Sequence, residues 1–424
     1  MKNSGIEWLG IIPDHWKIER LQWYLTEIKE SNNPIQTDQV LSLTNKRGVI
    51  PYEEKGAQGN NAKENHADYK LAYPHTLVLN SMNVLIGSVG ICDYFGCVSP
   101  VYYVFKPNSK TNLEFINYIF QTEQFQKELR RYANGIMEIR LRLSSDDILK
   151  RLVAFPSIEN QSQIVAYLNK KCAQIDALIL NQERQIEKLK QYKQSLITEV
   201  VTKGLDPTVP LKDSGVEWIG KIPEQWELNR IKYISEFNPP CIKKYKDEDI
   251  VSYAPMDCIK NGYMIPQEIE YSHVSSGLTY FAENDIVMAK VTPCFENGNI
   301  AIASKLTNGA AFGSSELFVF RAKNIEEKWL FYYLQSTRFV EIAKSTMTGT
   351  GGLKRVSPTF VKDHTLALPP KEKQIAAVIF LDRKCGYIES MITTKQSKIE
   401  KLNQYKKSLI YEYVTGKKEV STYG

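Results

Sequence analysis

The sequence predicts an α+β protein built twice: two similar globular parts joined by two long, antiparallel, coiled-coil-like helices, an internal duplication of pseudo-two-fold character. Three observations lead there. Ser4-Gly-Ile-Glu-Trp-Leu-Gly-Ile-Ile-Pro-Asp-His-Trp-Lys-Ile-Glu-Arg20 returns 210 positions later as Ser214-Gly-Val-Glu-Trp-Ile-Gly-Lys-Ile-Pro-Glu-Gln-Trp-Glu-Leu-Asn-Arg230. Ile186-Glu-Lys-Leu-Lys-Gln-Tyr-Lys-Gln-Ser-Leu-Ile197 returns 213 positions later as Ile399-Glu-Lys-Leu-Asn-Gln-Tyr-Lys-Lys-Ser-Leu-Ile410. Between these landmarks lie short β-rich runs broken by Gly, Asn and Pro, with one aromatic helical stretch in each copy. A repeat this long is no solenoid, whose units run about 20 to 50 residues. It is a duplicated module, suited to something two-sided.

Each copy opens with two tryptophans around a proline (Trp8, Pro13, Trp16; Trp218, Pro223, Trp226), aromatic enough to be a docked segment rather than a free tail. Strands are expected at 40–44, 76–79 and 98–105 in the first copy, and at 285–288, 299–302 and 317–320 in the second. A helix is expected over 113–132 and another over 326–344. Pro156 and the Pro369-Pro370 pair end the strands that precede the long helices.

The long helices carry the clearest periodicity. Ile175, Leu178, Ile179, Ile186, Leu189, Leu196 and Val200 recur at spacings of three and four, and Ile388, Met391, Ile392, Ile399, Leu402, Leu409 and Val414 repeat the stripe. At ~1.5 Å per residue each helix runs very roughly 60 Å. The simplest way to bury both stripes is to pair them, with Ile186, Leu189, Leu196, Ile399, Leu402 and Leu409 in the seam; packing of each helix on its own domain is the alternative. If Leu189 and Leu402 are buried there, each change to Ala costs roughly 2–5 kcal/mol. The boundaries read as 1–155 for the first globular domain, 156–206 for the first helix and linker, 207–368 for the second domain, and 369–424 for the second helix and tail.

The 424 residues, 43% apolar and 24% charged, have an ordinary globular composition. No apolar run approaches the ~20 residues that span a bilayer, and the start lacks the apolar core of a secretory signal, which points to the cytoplasm. Seven scattered cysteines without a Cys-x-x-Cys pair, and only five histidines, argue for reduced thiols and against a metal site. The net charge of +6 is uneven: residues 161–203 carry +3 and residues 371–418 carry +6, leaving the remainder near −3. Any nucleic-acid binding by near-neutral globular parts would lean on partner subunits for phosphate neutralisation.

Several catalytic look-alikes fail on chemistry. Gly215 to Ile222 nearly spells a phosphate-binding loop but ends in Ile where the Mg²⁺-binding hydroxyl belongs, and the sister copy lacks the lysine. Asn238-Pro-Pro-Cys241 is similar to the motif with which adenine methyltransferases stack a flipped base, yet Cys stands in place of the ring and no methyl-donor loop accompanies it. Glu53-Glu54-Lys55 is too short and common a string to define a nuclease. Thr348-Gly-Thr-Gly-Gly-Leu-Lys-Arg355 is a basic glycine-rich loop that could touch phosphate or simply turn the chain. No catalytic residue, cofactor or metal is expected.

The duplicated order of Trp–Pro–Trp segment, globular part and Glu-Lys-Leu-x-Gln-Tyr-Lys-x-Ser-Leu-Ile helix resembles the specificity subunit of type I restriction–modification systems. Phe281 to Gly298, Gly313 to Phe320, Leu43 to Pro51 and Gly96 to Tyr103 look like that family's target recognition domains. The resemblance implies a non-catalytic subunit that reads an asymmetric, bipartite site on double-stranded DNA, one half-site per globular domain. It also implies docking of two methyltransferase subunits and, through them, restriction subunits, with the paired helices as spacer. Two such readers would contact half-sites about one helical turn, roughly 10 bp, apart. The half-sites should differ, because the globular sequences diverge while the helices do not.

Base readout needs Arg or Lys for guanine, Asn or Gln for adenine, and Ser or Thr for either. The candidates are Lys46, Arg47, Asn80 and Ser81 in the first domain and Lys290, Thr292, Ser314 and Ser315 in the second. Arg140, Arg142, Lys354 and Arg355 stand just before each long helix and suit phosphate contacts; ordinary solvated charge is the competing reading. The competing functions are a stand-alone DNA methyltransferase or nuclease with cryptic motifs, and a structural adaptor that reads no DNA.

Overall fold

The computed structural model describes residues 1–44, 47–56, 65–134 and 141–420. The chain divides into two compact units, Met1–Gln182 with Gln396–Gly424, and Glu183–Lys395. Each long helix is thereby shared: the first spans Ile158–Lys203 and the second Lys371–Val414.

In the first unit an antiparallel sheet runs in the order Leu25–Ile28, Tyr102–Pro107, Thr76–Asn80, Val89–Cys92, with Tyr102 opposite Asn80. Thr76–Asn80 is buried at every position, as a central strand of aliphatic residues should be. A separate antiparallel pair, Lys17–Arg20 with Leu152–Phe155, ties the start of the globular part to its end, and the second strand stops at Pro156 as expected. One core joins Trp8, Trp16, Phe115 and Phe125 to Ile164, Leu168, Leu409, Ile410 and Val414 of the two helices. Within this unit the helices run antiparallel: the Tyr167 and Tyr413 rings lie 4.5 Å apart, and Lys406 Nζ sits 2.7 Å from Asp176.

The second unit repeats the plan. Its sheet runs Ser235–Phe237, Leu317–Ala322, Ile286–Ala289, Ile300–Ile302, and Glu227–Arg230 pairs with Thr365–Leu368. Here too the helix segments are antiparallel, with Lys193 Nζ 2.6 Å from Glu389 and Lys395 hydrogen-bonded to Gln185. Ile197, Val200 and Val201 share a core with Ala377, Val378, Leu381 and Cys385. This unit adds a mixed sheet, Gln267–Glu270, Ile250–Ala254, Ala310–Gly313, Thr279–Ala282, where the first unit has hairpins such as Leu41–Thr44 with Gly48–Pro51.

Local chemistry corrects four expectations. The stretch 113–132 is two helices, Leu113–Phe120 and Glu123–Arg130, because the Thr122 hydroxyl accepts from Phe125 N and starts a new helix. The stretch 326–344 is likewise Glu327–Gln335 and Thr337–Ser345, with Ser336 capping Phe339 N. The run 98–105 breaks into strands Gly96–Val98 and Tyr102–Pro107 around Pro100, which has no N–H to give a ladder. Trp8 is buried against Phe125, but Trp218 in the second copy is 48% exposed, and that copy is fastened by Arg338 Nη1 donating to Ile219 O at 2.6 Å.

Among the described residues no helix is long and apolar enough to cross a membrane, and no group of three or more His, Cys, Asp or Glu could hold a metal.

Candidate nucleic-acid interface

The second unit gathers all six of its described candidates at one place: the end of the strand Ile286–Ala289, the turn Gly313–Glu316 and the loop 348–355. Lys290 leaves that strand with its amide donating to Glu316 O at 3.0 Å and its carbonyl accepting from Val356 N at 2.9 Å. Its ammonium donates to Ser315 O at 2.7 Å and lies 5.7 Å from the Phe318 ring centre. Thr292, buried, locks the loop: its hydroxyl donates to Gly352 O at 2.7 Å and accepts from Lys354 N at 2.9 Å. The loop closes on itself through reciprocal Thr348–Arg355 backbone bonds. Gly349 is required there, since at φ +146° an added Cβ would lie 2.2 Å from Leu353 O.

Arg355 crosses to Glu316, donating from Nε to Oε2 at 2.9 Å and from Nη2 to Oε1 at 2.8 Å. That hydrogen bonding holds the Glu316 carboxyl below its ordinary range; burial opposes it and Lys290 adds to it. Ser314 uses its hydroxyl to accept from Glu316 N at 3.2 Å, shaping the turn, while Ser315 is exposed. Lys354 is exposed, and its ammonium has no partner among the described residues. The cluster therefore offers one free cation, a second cation exchangeable from Glu316, and a surface seryl hydroxyl. That set matches phosphate and base-edge contacts and contains no nucleophile–base pair.

The first unit repeats the backbone frame with different side chains. Leu143 N donates to Ser81 O at 3.1 Å, and Asn134 and Arg142 exchange backbone bonds at 2.8 Å, as Val356, Lys290, Thr348 and Arg355 do in the second unit. Ser81 and Asn80 are buried, the latter accepting from Met82 N at 2.9 Å, so Asn80 caps a turn in this conformation instead of presenting its amide. Arg142 is exposed. Arg47 sits apart, at the tip of the hairpin Leu41–Thr44/Gly48–Pro51, ion-paired with Glu54. Lys46 and Arg140 lie outside the described residues.

Two participants carried no signal of their own. Glu316 is the partner of Arg355, and a search confined to donors and hydroxyls passes over it. Lys70 donates to Tyr102 O at 2.8 Å, beside Asn80 in the sheet, and lies 4.7 Å from the Tyr103 ring; its pKa is lowered by burial. It becomes a neighbour only through pairing of strands far apart in sequence.

The look-alikes resolve structurally. Gly215–Ile222 leads into a small antiparallel pair, Leu211–Asp213 with Lys221–Pro223, instead of a strand–loop–helix. Asn238 spends its side-chain oxygen on Val319 N at 2.8 Å.

Of the seam residues, Ile186 and Leu409 are buried, whereas Leu189, Leu196, Ile399 and Leu402 are half-buried. Leu196 packs against the second unit's core and Leu402 against the first's.

The two units thus share an α+β frame in which an exposed arginine, Arg142 or Arg355, sits in a backbone-bonded segment ahead of each long helix. Residues 223–404 match the family model described as "Type I restriction modification DNA specificity domain". The chain is 37% identical over 164 residues to the EcoAI specificity subunit of Escherichia coli, and 34% identical over 163 residues to the EcoEI specificity subunit. Those matches cover 38% and 37% of this chain but only 28% and 27% of the relatives, so it spans little more than a quarter of their length. Over 96% of its length it is 22% identical to the MjaVIII specificity subunit of Methanocaldococcus jannaschii, covering 93% of that protein. In fold it is similar to a chain solved in a study titled as the structural basis of complex assembly and conformational transition of the type I R-M system (TM-score 0.71, 14% identity, 95% of this chain and 98% of that one). It is also similar to the HsdS subunit from Thermoanaerobacter tengcongensis (TM-score 0.52, 14% identity, 98% and 100%). The chain is thus similar to specificity subunits of type I restriction–modification systems, with the family-model match confined to residues 223–404.

Proposed function

We propose that this chain is the non-catalytic reader of an asymmetric, bipartite site on double-stranded DNA, with one half-site per globular domain. The domains are taken as 1–155 and 207–368, with 156–206 and 369–424 as the helices that separate them and carry partner subunits. Two methyltransferase subunits, and through them restriction subunits, dock on this scaffold and supply the chemistry. The observation that carries the reading is the shared backbone frame at Ser81–Arg142 and Lys290–Arg355, dressed with unlike side chains. One frame with two sets of contacts fits one mode of docking on two different sequences. The DNA-facing residues are proposed to be Lys46, Arg47, Asn80, Ser81, Arg140 and Arg142 in the first domain, and Lys290, Thr292, Ser314, Ser315, Lys354 and Arg355 in the second. Asn80 and Ser81 reach bases only if their turn opens, and Thr292 acts by fixing the loop.

The test is to co-express the chain with its methyltransferase partner and map methylated adenines in host DNA by single-molecule sequencing. A split, asymmetric motif that needs both proteins is expected, and exchanging the first domain is expected to change one half only. Methylation by this chain alone would instead establish an enzyme, and a motif indifferent to Lys290 and Arg355 would favour a structural adaptor.

A further inference from the structure

The Asn238-Pro-Pro-Cys241 segment forms one wall of a recess in the second unit that the interface above does not use. The recess encloses about 440 Å³ and is lined by Asn238, Pro240, Cys241, Tyr271, Tyr280 and Phe312 among others. Phe312 is buried and touches both tyrosines, at ring-centre distances of 5.5 Å to Tyr271 and 5.6 Å to Tyr280, while the tyrosines themselves are only half-buried. Phe312 is the penultimate residue of the strand Ala310–Gly313, which runs directly into the Gly313–Glu316 turn that holds Lys290 and Arg355. The recess therefore adjoins the cationic cluster through one short piece of backbone.

Its rim is polar. The hydroxyls of Ser275, Ser276 and Thr279 have no partner among the described residues, and Asn238 has used only its oxygen, leaving its amide donors free. Lys243 and Lys244 follow shortly after Cys241, outside the lining; Lys243 Nζ donates to Asn308 O at 3.3 Å and lies 4.9 Å from the Tyr245 ring, which is tilted against Tyr271 at 5.3 Å between ring centres. Aromatic faces, unsatisfied donors and acceptors at the edge, and ammonium groups outside make the set that receives a planar nucleobase attached to a phosphodiester chain. In the sequence the missing ring of the Asn-Pro-Pro motif argued against a base site. In the structure Tyr271, Tyr280 and Phe312 supply rings from other strands and turns. A recess near the first unit's hairpin is lined by Asp38, Glu53 and Tyr52, and two carboxylates there would repel the strand.

We infer that this recess receives one extrahelical base of the bound DNA, a recognition pocket that holds the base without acting on it. The inference rests on the DNA-reading proposal and adds a base-specific element confined to the second half-site. No bond is made or broken.

The test uses the complex with its methyltransferase partner on duplexes containing the mapped motif. A single bulged 5-iododeoxyuridine is moved one position at a time through the second half-site, with the fully paired duplex as reference. A bulged base is already unstacked, so at one position binding should tighten by about tenfold, and the photocrosslink should map to the peptide carrying Tyr271 or Tyr280. Tyr271→Ala and Tyr280→Ala are each expected to remove most of that preference, and Tyr280→Phe, which keeps the ring, to retain it. Crosslinks only to the methyltransferase, no preferred position, or an undiminished preference in both alanine variants would overturn the pocket while leaving the split motif intact. Failure of the mapping to yield a split motif would overturn the reading itself, and the pocket with it.

Discussion

Arg355 and Glu316 form a two-pronged ion pair at the centre of the second unit's candidate interface, Nε and Nη2 each within 3 Å of a carboxylate oxygen. Both partners keep contact with water, with side chains 47% and 27% exposed. An exposed pair of this kind contributes little to stability. Its consequence lies in competition: a phosphate must displace Glu316 to engage the guanidinium.

Glu316→Gln removes the competitor while keeping the shape. In the assembled complex it is expected to raise DNA affinity several-fold at low salt and to steepen the dependence of log K on log salt by up to about 0.9. Arg355→Ala and Lys354→Ala are each expected to make that slope shallower by about one. Binding titrations between low and moderate salt read all three; slopes unchanged throughout would place the loop away from the DNA.

The helix stripe gives a stability prediction. Leu409 is 2% exposed in the first unit's core, so Leu409→Ala is expected to cost roughly 2–5 kcal/mol. Leu189 is half-buried and belongs to no core cluster among the described residues, so Leu189→Ala should cost less than about 1.5 kcal/mol. Urea denaturation of the two variants separates them, and equal losses would mean that Leu189 is as fully buried as Leu409.

The Asp285–Arg321 pair makes the opposite case to Arg355–Glu316. Asp285 is 1% exposed, accepts from Arg321 Nε and Nη2 at 2.8 and 2.7 Å, and also accepts from Ala282 N at 2.7 Å. Arg321→Ala strands a buried carboxylate and is expected to cost about 3 kcal/mol, toward the low end for buried pairs because Arg321 is itself one-third exposed. Replacing both residues with apolar ones should restore part of the loss, read as thermal midpoint.

Periodicity made the long helices legible because spacings of three and four along an uninterrupted stretch leave few other ways to bury the stripe. The duplication likewise foretold two similar globular parts, and the same strand order recurs in both four-stranded antiparallel sheets. It did not foretell the breaks at Thr122 and Ser336, where a single hydroxyl competes with an otherwise helical sequence. Residue type and position before the helix pointed to Lys354 and Arg355, and the chemistry of base readout pointed to Lys290; the fold brings the three together, and their contact with DNA stands as a proposal. What escaped was the pairing of distant segments. Glu316 and Lys70 acquire their roles from strands that meet only in the fold, and Leu189 shares the heptad logic of Leu409 without sharing its burial.

Within the second unit's core, His364 gives a pH prediction. The ring is 3% exposed, surrounded by Phe339, Phe360 and Tyr333, with Nε2 2.9 Å from the Tyr333 hydroxyl and Nδ1 without a partner among the described residues. Burial pushes its pKa down to about 4 from an ordinary 6.5. The folded chain therefore keeps His364 neutral where the unfolded chain takes up a proton. Stability is full above about pH 6.5 and falls as pH drops toward 4, by roughly 3 kcal/mol from this group alone. Below 4 both states are protonated and this dependence ends. His364→Gln keeps a partner for Tyr333 and does not titrate, so the difference in unfolding free energy between variant and parent should shrink between pH 7 and pH 4.5. A difference that stays constant across that range would mean that His364 is already charged, or water-accessible, in the folded protein.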